Sequence, residues 1–454
     1  MSFEQLPTEL QLMVMSYIKH PPTLYAMARV NTAWNAYAVD QLWADPPHKA
    51  LTLLAVILPE SRRQFLADKV QSLSLQKSQF AFEAMNFGSL RSLSFGYHCS
   101  DHMNHAPFIQ PSLHSLPYYG DHTFTEESIN LVHQRCPDLH SLRVYDRLLI
   151  DSALFVNLLQ TRRHLKLLAL GYRFDQRIAD DILACLIGPI SEKLEDLTIL
   201  CPLNHINPSR LSQLIRSTRV LRKLDMGHLP SDASELLSTL CDLDTLEELE
   251  LGHRITSEQL TFQDQQQNNI LPFRNIHDLS LSGDAQALSR LLSSRSIITL
   301  ALDVEDPDES FYTAIGSMTQ LTSLDITLPP SGDVGQEGLG KLRMLRELRR
   351  FKMSKSGTGE ILEDMLQLPW MTDSLFEEFV ASYPLLEQLY LDWDLSDQLT
   401  EAAIGGLAKS CPRLRRMMLM WEHDLEDWYK LGQPLFPEMQ FLALGSTCEF
   451  AVGR

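Results

Sequence analysis

A short apolar pattern recurs from residue 70 to the C-terminus: two apolar residues separated by two positions, then a third apolar residue two positions further on. We count fifteen copies, spaced on average about 26 residues apart, within the range of the shorter known structural repeats. The middle residue is leucine in thirteen copies, the exceptions being Phe351 and Met417. The first apolar residues are Val70, Leu90, Leu113, Leu139, Leu165, Leu194, Leu221, Leu246, Ile276, Ile297, Leu321, Leu348, Leu386, Leu414 and Met439.

A second pattern precedes several copies, with apolar or semi-apolar residues ten, seven and three positions upstream. Ile129, Val132 and Cys136 precede Leu139 in this way. Steps of three and four residues predict one face of a helix, whereas the step of two inside the triple predicts a strand. A proline two positions ahead of the first strand leucine indicates where the helix ends. These prolines are Pro137, Pro384 and Pro412.

Each repeat is therefore predicted to be a helix, a tight corner and a short strand. One such unit cannot bury its own apolar face, so neighbouring units must stack. We predict an α/β fold, a horseshoe with parallel strands on the concave side and helices on the convex side. The pattern resembles leucine-rich repeats, but glycine follows the strand where that family often has asparagine or cysteine, as at Gly171, Gly227 and Gly252.

Residues 3 to 44 differ from the repeats. Leu6, Leu10, Val14 and Ile18 are spaced four apart and predict one helical stripe that opens near Pro7. Pro21 and Pro22 are expected to stop this helix, a second helix runs from Leu24 to Ala28, and a third begins near Thr32 as its N-cap. About forty residues in three short helices are too few to bury a self-sufficient core, so a partner surface is expected to complete it.

This segment resembles the F-box in the opening Leu6-Pro7-x-Glu9-Leu10, in Val30 followed four residues later by Trp34, and in the closing Leu42-Trp43. The continuation from Pro59 to Leu75 looks like the bridge of fungal F-box proteins with leucine-rich repeats. We predict an F-box at 1–45, a helical linker or cap at 46–69 and a leucine-rich-repeat solenoid of about 15 repeats at 70–454.

The resemblance implies a substrate-recognition subunit of an SCF-type cullin-RING ubiquitin ligase. The F-box would dock on a Skp-family adaptor and the repeats would hold a client protein, with no catalytic residue and no cofactor in this chain. The implied adaptor contacts are Leu6, Pro7, Glu9, Leu10, Val14, Ile18, Val30, Trp34, Leu42 and Trp43. Three alternatives stay open: these residues could cap the first repeat, the repeats could act as a scaffold or regulator outside a cullin ligase, or the F-box could bind its adaptor without a cullin.

Composition narrows the choice of partner. The formal charge of −19 disfavours nucleic acid and anionic membranes as main partners, and no apolar run is long enough to span a bilayer. The acidic N-terminus carries no secretory signal, so the cytoplasm or nucleus is expected. Seven scattered cysteines read as reduced thiols. The metal-capable side chains between His98 and His105 lie in an insertion and are interpreted as a solvated loop rather than a metal site.

Strand positions on either side of the middle leucine should point away from the core, because side chains alternate along a strand. In the central repeats these positions, with the one beyond the third apolar residue, are Asp196, Lys223, Asp225, Glu248, Glu250, Asp278, Asp303 and Asp325. They predict an acidic stripe that binds a basic client segment; a solvated face of an acidic protein is the alternative. A client anchor is predicted near the C-terminal strands at Tyr390, Asp392, Trp393, Met418, Met420, Trp421 and Phe441.

Overall fold

The structure is a computed structural model of the chain. It describes residues 6–57, 59–75, 85–96, 105–119, 124–145, 152–171, 176–203, 206–230, 232–260, 272–292, 296–329, 334–356, 366–394, 399–419, 436–444 and 448–450. Two compact units divide it: the first comprises Met1–Pro202 with Ser217–Arg219, and the second Leu203–Arg216 with Val220–Arg454.

Five helices open the first unit. They are α1 (Thr8–Ser16), α2 (Pro21–Met27), α3 (Thr32–Ala44), α4 (His48–Ile57) and α5 (Glu60–Ala67).

Two boundaries in this segment differ from the sequence prediction. Pro21 and Pro22 begin α2 rather than lying outside it, because the first turn of a helix needs no N–H donor. Asn31, not Thr32, is the N-cap of α3: its Oδ1 accepts a hydrogen bond from the Trp34 amide at 2.9 Å. The α3 helix therefore starts where predicted, with the cap one residue earlier.

Six parallel strands follow in the first unit, each hydrogen-bonded to the next in chain order. They are β1 (Ser72–Leu75), β2 (Ser92–Phe95), β3 (Ser115–Tyr118), β4 (Ser141–Val144), β5 (Leu167–Leu170) and β6 (Asp196–Pro202). The helices between them are α6 (Glu126–Arg135), α7 (Ser152–Thr161) and α8 (Gln176–Leu186), with a 3₁₀ turn at Ser191–Lys193.

Parallel strands and helices also build the second unit, except that two short strands form a separate sheet and the last strand is antiparallel to its neighbour. Its strands are β7 (Lys223–His228), β8 (Glu248–Ile255), β9 (Asp278–Asp284), β10 (Thr299–Glu305), β11 (Ser323–Leu328), β12 (Arg350–Lys355), β13 (Leu366–Gln367), β14 (Gln388–Leu391), β15 (Trp393–Asp394), β16 (Arg416–Leu419), β17 (Phe441–Leu444) and β18 (Cys448–Phe450). Its helices are α9 (Pro208–Ser217), α10 (Ser234–Cys241), α11 (Ala285–Leu291), α12 (Glu309–Gly316), α13 (Gln336–Leu342), α14 (Asp373–Val380) and α15 (Glu401–Ser410), with a 3₁₀ turn at Ser257–Leu260.

The predicted frame is confirmed at every copy, since each of the fifteen repeat strands begins two residues after the first apolar residue. The middle residues of neighbouring copies pair directly: Leu249 lies opposite Leu279, and Leu300 opposite Leu324. The upstream helix positions are buried as predicted, for example Ile129. Strand and helix layers thus share one apolar core within each unit, which makes the fold a leucine-rich-repeat solenoid.

The glycine directly after the third apolar residue of a repeat has a steric reason; in β7 and β8 it lies inside the strand. A Cβ built on Gly252 would lie 2.6 Å from the carbonyl oxygen of Gly227 on the neighbouring repeat. No side chain fits there without moving backbone, so the two repeats can approach closely only because this position is glycine.

One predicted surface residue is placed wrongly by the sequence analysis. Trp393 is only 1% exposed. It belongs to β15, which pairs with β13 through the Leu366–Trp393 register. Trp393 also has the same strand parity as the inward residues Leu389 and Leu391, so alternation itself directs it to the core. Trp393 therefore cannot anchor a client on the surface.

Candidate functional site

The N-terminal helices build a small core of their own. Met15, Leu24, Met27 and Ala38 are buried in it. Partly buried residues that pack against this core are Ile18, Ala28, Trp34, Tyr37 and Leu42. Three residues predicted as adaptor contacts, Ile18, Trp34 and Leu42, therefore also contribute to this core.

A second apolar stripe on α1 faces solvent. Leu10, Met13, Val14 and Tyr17 occupy about 100° of the helix circumference and all four are exposed, Met13 by 54% and Tyr17 by 82%. With the exposed Tyr25 and Val30 they form what we call the docking patch. Seven of the thirteen large hydrophobic side chains that are exposed in the described parts of the chain lie between residues 10 and 30, so exposed apolar surface is concentrated here.

The patch overlaps the predicted adaptor contacts in part. Leu10, Val14 and Val30 lie in it, whereas Met13, Tyr17 and Tyr25 were not among the predicted contacts. Four residues turn an α-helix by about 400°, slightly more than one full turn. Residues spaced four apart therefore shift gradually around the helix, and Ile18 no longer lies on the outer face. Apolar residues occupy both sides of α1, so the sequence does not show which side is buried.

The remaining predicted adaptor residues lie around this patch. Pro7 and Glu9 are exposed and Leu6 is half-buried. Pro7 caps α1, its carbonyl accepting from the amides of Leu10 and Gln11 at 3.0 Å. Trp43 lines a separate cleft between α3 and α5.

The helices are joined to the first repeat within this unit. The amide of Gln71, one residue before β1, donates to the carbonyl of Ala44 at the end of α3 at 2.9 Å. Lys69 pairs with Asp40 of α3 and lies 4.6 Å above the Phe65 ring centroid. Packing between the helices and the first repeat thus occurs at α3 and α5, leaving the docking patch of α1 uncovered by described residues.

A second candidate surface is the side of the sheet that faces away from the helices, which we call the open face. In the second unit Lys223, Glu248 and Asp278 lie side by side in register, and Asp225 lies beside Glu250. The Lys223 Nζ to Glu248 Oε2 distance is 2.6 Å, so one acidic residue here already has a basic partner. Asp196 starts β6 in the first unit.

The predicted acidic stripe ends sooner than the sequence analysis proposed. Asp325 on β11 pairs with Lys352 on β12, with Nζ and Oδ2 2.9 Å apart. Asp303 lies one row further along the strands and accepts a hydrogen bond from Ser282 at 3.4 Å. The run of register-adjacent acidic residues that starts on β7 therefore ends on β9, although Asp303 keeps its negative charge.

Basic residues follow, and the sequence analysis missed them. Arg350 is exposed on β12 and Arg416 on β16, with Gln388 between them in register. Reading the same strand position through the last repeats would have found both.

The predicted anchor is retained in part. Tyr390 is half-buried and Met418 is 36% exposed, and the two lie side by side on the open face. Asp392 is half-buried, and its Oδ2 accepts from the Lys355 amide at 3.5 Å. Phe441 is half-buried on β17. Met420 and Trp421 lie outside the described residues.

The surroundings of Asp278 on β9 shift the pKa of its carboxyl group. Burial first, and repulsion by Glu248 second, raise the pKa of this carboxyl, while Lys223 opposes the rise. A carboxyl whose pKa is higher in the folded chain opposes folding when it is ionised, and this effect disappears below its unfolded pKa.

Asp278→Asn is therefore expected to melt at a higher temperature than the parent chain at pH 7. The difference should shrink as the pH falls toward about 4. Asp303→Asn, an exposed carboxylate on the same face, is the matched control in thermal melts at both pH values. A lower melting temperature for Asp278→Asn at pH 7 would show that Lys223 and other contacts outweigh the repulsion.

The cysteines at the helix ends are core thiols. Cys136 and Cys411 are fully buried, and burial raises their pKa to about 11 and about 12. Neither is a thiolate at neutral pH. His105 packs on the Phe95 ring and its Nδ1 lies 3.1 Å from Ser128 Oγ; residues 98 to 102 are outside the described residues.

None of the helices in the described segments is long and apolar enough to cross a membrane. No group of three or more His, Cys, Asp or Glu side chains in them is arranged to hold a metal ion.

Comparison with known proteins assigns the N-terminal helices to a domain type. A family model described as F-box-like matches residues 3–46, and the chain has an F-box-like domain at its N-terminus. No curated protein sequence matches the chain.

Solved structures with similar architecture include Rad7 in the yeast Rad7–Elc1 complex, with 14% identity, 92% of this chain and 99% of that chain covered, and a TM-score of 0.48. An internalin of Listeria monocytogenes has 13% identity, 90% and 97% coverage and a TM-score of 0.38. LegL7, a leucine-rich-repeat protein of Legionella pneumophila, has 14% identity, 65% and 87% coverage and a TM-score of 0.33.

Proposed function

We propose that this chain is the substrate receptor of an SCF-type cullin-RING ubiquitin ligase. The docking patch carries the proposal, because it places an exposed apolar surface on the F-box-like domain. A helical cap would bury these side chains on the first repeat, yet Tyr25 is 63% exposed and Tyr17 more so. Aromatic and methionine side chains are enriched at protein interfaces, and a Skp-family adaptor is the expected partner.

The repeats would hold the client on the open face of the sheet. Ubiquitin transfer would take place elsewhere in the assembly, and this chain would contribute proximity by raising the effective concentration of the client. No cofactor is needed for that role. The cytoplasm or the nucleus is the proposed location, and the bridge from Pro59 to Leu75 supports placement among fungal-type receptors.

A scaffold or regulator outside a cullin ligase would use the same repeats. It would not need an apolar surface on the F-box-like domain. The docking patch therefore favours the receptor.

The test is affinity purification of the full-length chain, with and without proteasome inhibition, followed by mass spectrometry. The receptor should recover a Skp-family adaptor and a cullin in both samples. Client proteins should accumulate when the proteasome is inhibited. Recovery of the adaptor without any cullin would contradict the ligase role, and recovery of neither would also contradict adaptor docking.

A further inference from the structure

The open face of the second unit changes its charge from one end to the other. At the β7–β9 end, Asp225, Glu248, Glu250 and Asp278 occupy adjacent register positions. Lys223 offsets one of these charges. Four carboxylates and one lysine therefore share a small area of sheet, where burial first and repulsion by Glu248 second raise the pKa of Asp278.

The opposite end is basic. Arg350 and Arg416 are exposed, and neither forms an ion pair with another described residue. Lys352 lies in the adjacent row, in register with Tyr390, and Tyr390 is in register with Met418. Asp325 offsets the charge of Lys352. The two arginines, beside an aromatic ring and a thioether, form a surface that suits carboxylates or phosphates on a polypeptide.

Small uncharged side chains make up most of the face between the two ends. Ser280, Thr299, Ala301 and Ser323 occupy the open face on β9, β10 and β11. All four are half-buried. Two carboxylates also lie there: Asp325 is paired with Lys352, and Asp303, one row further along the strands, accepts a hydrogen bond from Ser282. At about 4.8 Å per strand, Glu250 on β8 and Lys352 on β12 are roughly 19 Å apart, which an extended chain crosses in about six residues.

From this arrangement we propose that the open face binds an extended client segment with opposite charges at its two ends. The basic end of the segment lies on β7–β9, about six small or uncharged residues cross β9–β11, and the acidic end lies on β12–β16. A uniformly basic segment would meet Arg350 and Arg416, and a nucleic acid would meet the carboxylates. The inference rests on the proposed function only in taking the open face as the client site.

The test uses two synthetic peptides of identical composition and zero net charge, binding to the purified full-length chain by fluorescence anisotropy at low salt. One peptide has three lysines, a six-residue Gly-Ser spacer and three glutamates; the other has the same residues with lysine and glutamate alternating. Zero net charge removes simple attraction to the acidic protein. The block peptide should bind at least about tenfold more tightly, and 0.5 M salt should remove the difference.

Charge reversal locates the two ends. Glu248→Lys with Glu250→Lys, and separately Arg350→Glu with Arg416→Glu, should each remove the preference for the block peptide. Combining all four substitutions leaves the net charge unchanged and exchanges the two ends, so binding should recover relative to either double variant. Equal binding of the two peptides by the parent chain, or no recovery in the combined variant, would overturn the proposal. Neither result bears on adaptor docking, because no adaptor is present.

Discussion

Replacing Met13 and Tyr17 together by aspartate is expected to weaken binding of a Skp-family adaptor by roughly a hundredfold or more. Both side chains are exposed on the outer stripe of α1, so the change places two charges in a surface that binding must dehydrate. The free chain should keep its fold, because exposed substitutions usually change the free energy of unfolding by about 0.5 kcal/mol or less. Adaptor binding is measured with purified proteins, and circular dichroism checks the fold.

The matched control is Met344→Asp. Met344 is 59% exposed, similar to the 54% of Met13, but belongs to the second unit and not to the F-box-like domain. It should leave the affinity for the adaptor unchanged. Substitution of Pro7 is a poorer test, because loss of the ring that fixes the backbone at the N-cap would affect the start of α1 as well as the surface. Unchanged affinity in the double variant would remove the docking patch as the adaptor site.

Truncating Leu249 or Leu324 to alanine is expected to lower the free energy of unfolding of the second unit by about 2 to 5 kcal/mol. Both leucines are buried at the middle strand position. The tightly packed strands and helices around them can fill only part of the cavity that truncation leaves. Urea unfolding followed by circular dichroism measures the loss.

Glu250→Ala is the control, since Glu250 is exposed and adjacent to Leu249. Its effect should be about 0.5 kcal/mol or less. Asp325→Ala removes the ion pair with Lys352 and should cost about 1 kcal/mol or less, because both partners are substantially exposed. A larger loss for the exposed residues than for the leucines would shift the strand register by one and exchange the core with the open face.

The strand frame could be predicted because each repeat contains its own evidence. A change from steps of three and four to a step of two marks the helix and the strand without any knowledge of distant residues. Burial of a strand follows from the same pattern, so Leu249 and Leu324 were assignable from the sequence. The alternation of side chains along a strand, which places both leucines in the core, also places Trp393 there. The prediction of Trp393 as a surface anchor did not apply this alternation.

The docking patch shows where sequence information ends. In α1, apolar residues lie on both faces, and only packing against α2 and α3 decides that Met15 is buried while Met13 is exposed. The charge reversal along the open face is a different case. The repeat frame, continued to Arg350 and Arg416, would have found the basic residues in the sequence. Which acidic and basic residues lie side by side in the sheet is known only from the structure.

The central claim is that the F-box-like domain docks on an adaptor, and direct titration of the purified full-length chain with a purified Skp-family adaptor tests it most simply. Isothermal titration calorimetry should show a one-to-one complex with a dissociation constant of about 1 μM or tighter and a negative heat-capacity change from apolar burial. No measurable binding at adaptor concentrations of about 100 μM would contradict the account.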